Sequence, residues 1–110
     1  MIYLASPYSH PDPKVCEARF TAACRATAEL IRAGKPVFTP VVQGHALMPY
    51  GVPSDWSFWE PIARHFLSRS DELVVLQIDG WRESEGVQAE MALASALGKR
   101  VDNLELETRS

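Results

Sequence analysis

Little in this chain marks it for nucleic acid, membrane or metal. The net charge is −3 and no basic run occurs, so duplex nucleic acid is not an expected partner. Small anions stay open as ligands, because helix N-termini bind them without a basic surface. The longest apolar run is far short of a bilayer span, so no membrane partner is expected either. Cys16 and Cys24 are the only cysteines. They lie on one predicted helix, ~12 Å apart along its axis, too far for a mutual disulfide. Reduced, half-buried thiols are the reading. His10, His45 and His65 are scattered and make no metal-ligand spacing, so no metal is expected. A glycine-rich phosphate loop is missing too; the first polar loop is rich in proline, which argues against a dinucleotide site.

What is present is an ordinary globular composition. Of 110 residues, 46% are apolar and 23% charged. That suits one domain, 1–110, with a core and little to spare. Ile2-Tyr3-Leu4-Ala5 reads as a short buried strand with no basic n-region or cleavage site before it, so a cytoplasmic protein is expected. Residues 6–13 hold three prolines and several hydroxyls and read as a rigid loop. A helix is predicted from Lys14 to Ala33, with Val15, Phe20, Ala23, Thr27, Leu30 and Ile31 as its apolar stripe and Gly34 as its cap. Pro36–Thr39 follows as the second strand.

Residues 40–55, with Gly44, Pro49, Gly51 and Pro53, read as one long loop, of a length more often functional than idle. A second helix lies within 55–70, where Pro61 is tolerable only in the first turn or at a kink. Glu72–Ile78 is apolar nearly throughout, as a central parallel strand should be. A polar turn over 79–85, a helix over 87–97, Gly98 as its cap, a strand near 100–104 and a frayed tail over 105–110 complete the order. Strands alternating with helices predict βαβ units and a doubly wound parallel sheet of four to five strands, covered on both faces as α/β/α. Such sheets bind ligands beyond the carboxyl ends of their strands, at the topological switch point. The loops over 6–14 and 79–86 are expected to flank that crevice.

Glu90 is the residue out of place. A helical pattern starts near Gly86, and Val87, Met91, Ala94 and Leu97 recur at spacings of four, three and three. At about 100° per residue they share one stripe, and Glu90 falls inside it. A carboxylate on the packed side is costly without partners or a task. Read in the first turn of its helix, it is expected to be kept ionised by the N–H groups and the macrodipole. That makes it a candidate nucleophile, with dipole complementation as the plainer alternative.

Asp79 directly follows the buried strand and is expected to aim into the crevice as a second carboxylate, or to form the turn before Gly80. Tyr3, on a neighbouring central strand, is placed to hydrogen-bond such a carboxylate, or to pack as a core ring. Ser84 is either an N-cap or a donor to a substrate oxygen or phosphate. His45 and Gln43 are in reach of a nucleobase, or simply on the surface. Trp56, Phe58 and Trp59 form an aromatic cluster, for which core or oligomer packing is expected over base stacking.

Several stretches together resemble the nucleoside 2-deoxyribosyltransferase superfamily. They are Ile2-Tyr3-Leu4-Ala5-Ser6-Pro7-Tyr8, the apolar strand ending in Asp79-Gly80, Ser84-Glu85-Gly86-Val87-Gln88-Ala89-Glu90, then Ala94 and Gly98-Lys99. The resemblance runs in order over most of the chain. It implies a flavodoxin-like fold and cleavage of the N-glycosidic bond of a (deoxy)nucleoside or its 5′-monophosphate, with the sugar passed to another base or to water. Carried over, Glu90 is the nucleophile on the anomeric carbon, Tyr3 orients it, and Asp79 serves the base or its proton. Ser6, Pro7, Ser84, Gly86 and His45 are the expected substrate contacts, and no cofactor is implied. Ser84 resembles the branch that hydrolyses deoxynucleoside monophosphates, whereas free-nucleoside transferases usually carry Asp there. That branch's glycine- and arginine-bearing first loop is missing; Ser6, Ser9 and His10 stand in its place.

The leading expectation is thus an N-glycosidase working through a glycosyl–Glu90 intermediate. A non-catalytic nucleotide-binding or sensing module and a plain interaction domain are the alternatives. Exposed sheet edges in so small a domain also lead us to expect a homo-oligomer, a dimer or larger.

Overall fold

A computed structural model describes residues 1–106. Along these residues run β1 (Ile2–Ala5), α1 (Pro13–Arg32), β2 (Val37–Phe38), α2 (Pro40–Leu47), α3 (Trp56–Arg69), β3 (Glu72–Leu76), α4 (Glu85–Ala96) and β4 (Arg100–Leu104), with a 3₁₀ turn at Met48–Tyr50. The strands form one all-parallel sheet in the order β2-β1-β3-β4. This is a flavodoxin-like α/β arrangement. From β1 the chain first moves outward to β2, then crosses back to β3, so the switch point lies between β1 and β3.

Strand periodicity sorts the core onto two faces. Tyr3 and Ala5 share one face with Leu73 and Val75, against Ala63 and Leu67 of α3 and Val87 and Ala94 of α4. Ile2 and Leu4 share the other with Val74 and Leu76, against Ala23 and Ala26 of α1, with Val41 and Val42 of α2 packed beside them. Leu4, Leu73, Val75 and Leu76 are wholly buried, each contributing ~1.5–3 kcal/mol. Among the described residues no helix is long and apolar enough to cross a membrane.

Caps fix the helix starts. Asp12 accepts from Lys14 N at 2.9 Å, Asp55 from Phe58 N at 3.2 Å, and Ser84 from Val87 N at 3.2 Å. Each such cap contributes ~1 kcal/mol.

The expected loop over 40–55 is mostly not a loop. Pro40 occupies the first position of α2, where its missing N–H costs nothing. Gly44 is tolerated mid-helix because its bare Cα faces Trp59: a Cβ there would lie 3.1 Å from Cζ2 of the indole. Pro61 is likewise inside α3, beyond its first turn. Its missing hydrogen bond would have gone to Ser57, which is exposed. The third strand stops at Leu76 rather than Ile78. Ile78-Asp79-Gly80-Trp81 instead closes a turn, with Trp81 N donating to the Ile78 carbonyl at 3.1 Å and Gly80 at φ +93°. On α1 the buried positions are Ala23 and Ala26, and Ile31 is exposed. Leu97 falls just past α4 and is exposed as well. Of the tail expected to fray, Leu106 packs against the core, and residues 107–110 lie outside the described residues.

Candidate active site

Beyond the carboxyl end of β1 lies a cavity of about 440 Å³. Tyr3 contributes from the strand and Ser6, Tyr8 and Ser9 from the loop leaving it. Pro40, Val41, Gly44 and His45 of α2 form one wall, and Ser54 and Asp55 with Trp56 and Trp59 of α3 form another. The segment Glu83 to Gly86 and Glu90 of α4 close the remaining side.

The Tyr3 hydroxyl donates to Glu90 Oε2 inside this cavity. Tyr3 is wholly buried and Glu90 is 4% exposed. Strand alternation turns Tyr3 toward α4, and helical spacing turns Glu90 toward Tyr3, between the buried residues Val87 and Ala94. The two predicted residues therefore meet.

The charge state is not the expected one. α4 begins at Glu85, with Ser84 as its N-cap, so Glu90 sits in the second turn. There its own N–H is already bonded within the helix and the macrodipole has faded. Burial dominates instead. It pushes the Glu90 carboxyl up from 4.5 to about 8, with the Tyr3 hydrogen bond drawing it part of the way back. At neutral pH the free protein holds this group mostly protonated. The Tyr3 phenol is pushed upward too, by burial first and then by the adjacent Glu90 charge.

Ser6 is 5% exposed, and its hydroxyl has no hydrogen-bond partner among the described residues. An unpartnered buried hydroxyl on a cavity wall is a place for a ligand's polar group. Pro7 is buried beside it but does not line the cavity. Ser84 and Gly86 both line it, and the Ser84 oxygen is engaged as the cap. His45 lines it from α2 rather than from a loop. Its Nδ1 lies 2.8 Å from the Tyr8 hydroxyl and its Nε2 3.1 Å from Glu17 Oε2. Gln43 is exposed and away from the cavity.

Asp79 is not brought to the site. It occupies the second position of the 78–81 turn, with its side chain in solvent, and its carbonyl faces Arg19 Nη2 at 3.5 Å. The carboxylate that does line the cavity, besides those of Glu83, Glu85 and Glu90, is Asp55. Hydrogen bonds from Ser57 and from the Phe58 amide hold it below the usual carboxylate range. Its signal was available, since Asp before an apolar run is an N-cap pattern. Tyr8 carried no sequence signal of its own. The aromatic cluster divides: Trp56 and Trp59 line the cavity, and Phe58 is exposed. Trp59 is fixed by its indole N–H, which donates to the Pro53 carbonyl at 2.8 Å.

The lining thus carries four carboxyl groups (Asp55, Glu83, Glu85 and Glu90) and no lysine or arginine. Among the described residues no cluster of His, Cys, Asp and Glu is arranged to hold a metal ion.

A family model described as "Domain of unknown function (DUF1937)" matches residues 1–106, and the chain belongs to that family. No curated protein matches the sequence.

Proposed function

Starting from membership of a family that brings no activity with it, we propose that this protein cleaves the N-glycosidic bond of a nucleoside. The reaction runs through a covalent glycosyl–Glu90 intermediate, and the sugar passes to another base or to water. The observation that carries this reading is the buried Tyr3–Glu90 hydrogen bond inside a cavity at the switch point of the sheet. The resemblance to the nucleoside 2-deoxyribosyltransferase superfamily supports the same reading. The Tyr3 hydroxyl occupies Oε2, leaving Oε1 to attack the anomeric carbon. Once substrate fills the cavity, the oxocarbenium-like transition state presents positive charge to Glu90, which favours its ionised form.

The cavity's charge favours a free nucleoside over its 5′-monophosphate. A phosphate brings about −1.5 to −2 charges, and the lining offers carboxylates with no lysine or arginine to receive them.

A second reading, a nucleoside-binding or sensing module without turnover, is favoured by the upward shift of Glu90, since a protonated carboxyl is no nucleophile. Mass spectrometry of the intact protein after incubation with 2-fluoro-sugar nucleosides separates the two. An adduct of one sugar on Glu90, missing in Glu90→Gln, is the expected result. Tight binding with no adduct and no base release would select the sensing module.

A further inference from the structure

A second line of titratable groups in contact ends at this cavity. Glu17 Oε2 of α1 lies 3.1 Å from His45 Nε2, within ion-pair distance, and His45 Nδ1 meets the Tyr8 hydroxyl at 2.8 Å. Phe20 clamps the imidazole by stacking on it at 3.9 Å and 20°. Glu17 is largely exposed, His45 is half-buried, and Tyr8 and His45 line the cavity while Glu17 does not. The line therefore runs from solvent through an oriented ring to a phenol at the ligand site.

The phenol has one more neighbour, Met48 Sδ at 3.1 Å. When His45 carries both ring protons, Nε2 forms an ion pair with Glu17 and Nδ1 donates to the phenol oxygen. The phenol hydrogen then points at the thioether, a weak acceptor. A ring nitrogen of a bound base replaces it readily. The phenol itself stays protonated: partial burial, then Cys16 and Glu17, push it up from its ordinary value.

A departing nucleobase needs a proton as well as a nucleophile behind the sugar. Asp79, the donor expected from the sequence, lies outside the cavity. Asp55 is held ionised by its own hydrogen bonds and has no proton to give. We infer that Tyr8 is the catalytic acid that protonates the departing base, that His45 resupplies its proton, and that Glu17 is the positioning residue for His45. This inference rests on the glycosidic reading of the site.

The step balances. Starting from the form with Glu90 ionised and both ring nitrogens of His45 protonated, the bond from Glu90 Oε1 to C1′ forms as the C1′–N bond breaks, and the electron pair of that bond stays on the base. The Tyr8 proton moves to a ring nitrogen of the base, and the Nδ1 proton of His45 moves to Tyr8. In the second half, water or an acceptor base attacks C1′ and Glu90 leaves as carboxylate. The proton lost by the attacking group returns through Tyr8 to His45, restoring the starting state.

The test compares two kinds of leaving group. Common ribo- and 2′-deoxyribonucleosides need a proton on the base; the corresponding 4-nitrophenyl glycosides release a phenolate that needs none. Tyr8→Phe and His45→Gln are expected to lower kcat/KM on the nucleosides by about 10²–10⁴ and the nitrophenyl rate far less. Glu17→Gln is expected to show the same split, more weakly. Glu90→Gln is expected to lose both activities. An unchanged nucleoside rate in Tyr8→Phe overturns the relay and leaves the glycosidic reading standing. Equal losses on both substrates overturn it as well, because they mark a structural role. A wild-type protein inert on both kinds of substrate overturns the glycosidic reading and the relay together. Tyr8→Phe keeps the ring, and its nitrophenyl rate reports that the protein is folded. Should His45→Gln fail to fold, Tyr8→Phe alone decides the outcome.

Discussion

Replacing Glu90 with Gln keeps the shape of the side chain and an acceptor for the Tyr3 hydroxyl while removing the titration. The native carboxyl sits at about 8 against an ordinary value of 4.5. Between those values the folded protein keeps a proton that the unfolded chain has released, so stability falls as pH rises across that window. Below it both states are protonated and nothing is lost. Above it both are ionised and the loss is complete. Each unit of difference corresponds to about 1.4 kcal/mol. Between about pH 5 and pH 8, wild type is expected to lose ~3–4 kcal/mol relative to Glu90→Gln. That is a large share of the ~5–15 kcal/mol typical of a domain. Urea unfolding of both proteins across this range measures it, because groups common to both cancel in the difference. The gap between the two curves should open steadily toward alkaline pH, with Glu90→Gln the more stable there. Parallel curves would refute the reasoning, since they would mean that the carboxyl is hydrated in the folded state.

The same titration predicts activity. Base release by wild type, read as kcat/KM, should rise about tenfold per pH unit below the Glu90 value of about 8; a profile flat through this region contradicts it. Tyr3→Phe removes the hydrogen bond that draws Glu90 downward. Its rising limb should shift to higher pH, and its denaturation midpoint should show a loss of ~1–3 kcal/mol for the unsatisfied carboxyl. Nucleoside 5′-monophosphates should have a kcat/KM about tenfold or more below that of the nucleosides in dilute buffer, a gap that narrows with added salt. Steady-state kinetics at two ionic strengths checks this, and an equal or faster monophosphate rate contradicts the charge argument. Gly80→Ala should cost about 1–2 kcal/mol by urea unfolding, because of its positive φ. A new Cβ would also collide with the Arg19 guanidinium and displace it.

Tyr3 and Glu90 were legible because each obeys a simple period. Alternation along β1 fixes the face of Tyr3, and helical spacing fixes the face of Glu90, whatever the helix's first residue. The charge state of Glu90 was not legible, because it depends on that first residue. Reading the helix from Gly86 put Glu90 near the amides; starting it at Glu85 under a Ser84 cap moves it to the second turn. Asp79 was misplaced for a related reason. A strand running to Ile78 would have carried it to the sheet's end, but the turn around Gly80 swings it into solvent. The wall formed by α2 was hidden by Gly44 and by Pro49, Gly51 and Pro53, which drew the whole stretch into one loop. The start signal was present in Thr39-Pro40, yet the apolar residues of α2 form no clear stripe to extend it. Tyr8, His45 and Glu17 come from separate elements and meet only once α2 is packed on α1. No local pattern announces such a meeting.

The acid–phenol pair and the surface facing it are written in different parts of the chain. Tyr3 and Glu90 belong to the sheet and to α4, which the core locks in place. Much of the facing surface, from Pro40 through Trp59, comes from one uninterrupted segment that enters after β2 and ends inside α3. Exchange of that segment between homologous chains would reshape this wall without disturbing Tyr3 and Glu90. Because His45 lies in that segment, such an exchange would carry the proposed proton supply along with the cavity wall and leave only the acid–phenol pair behind.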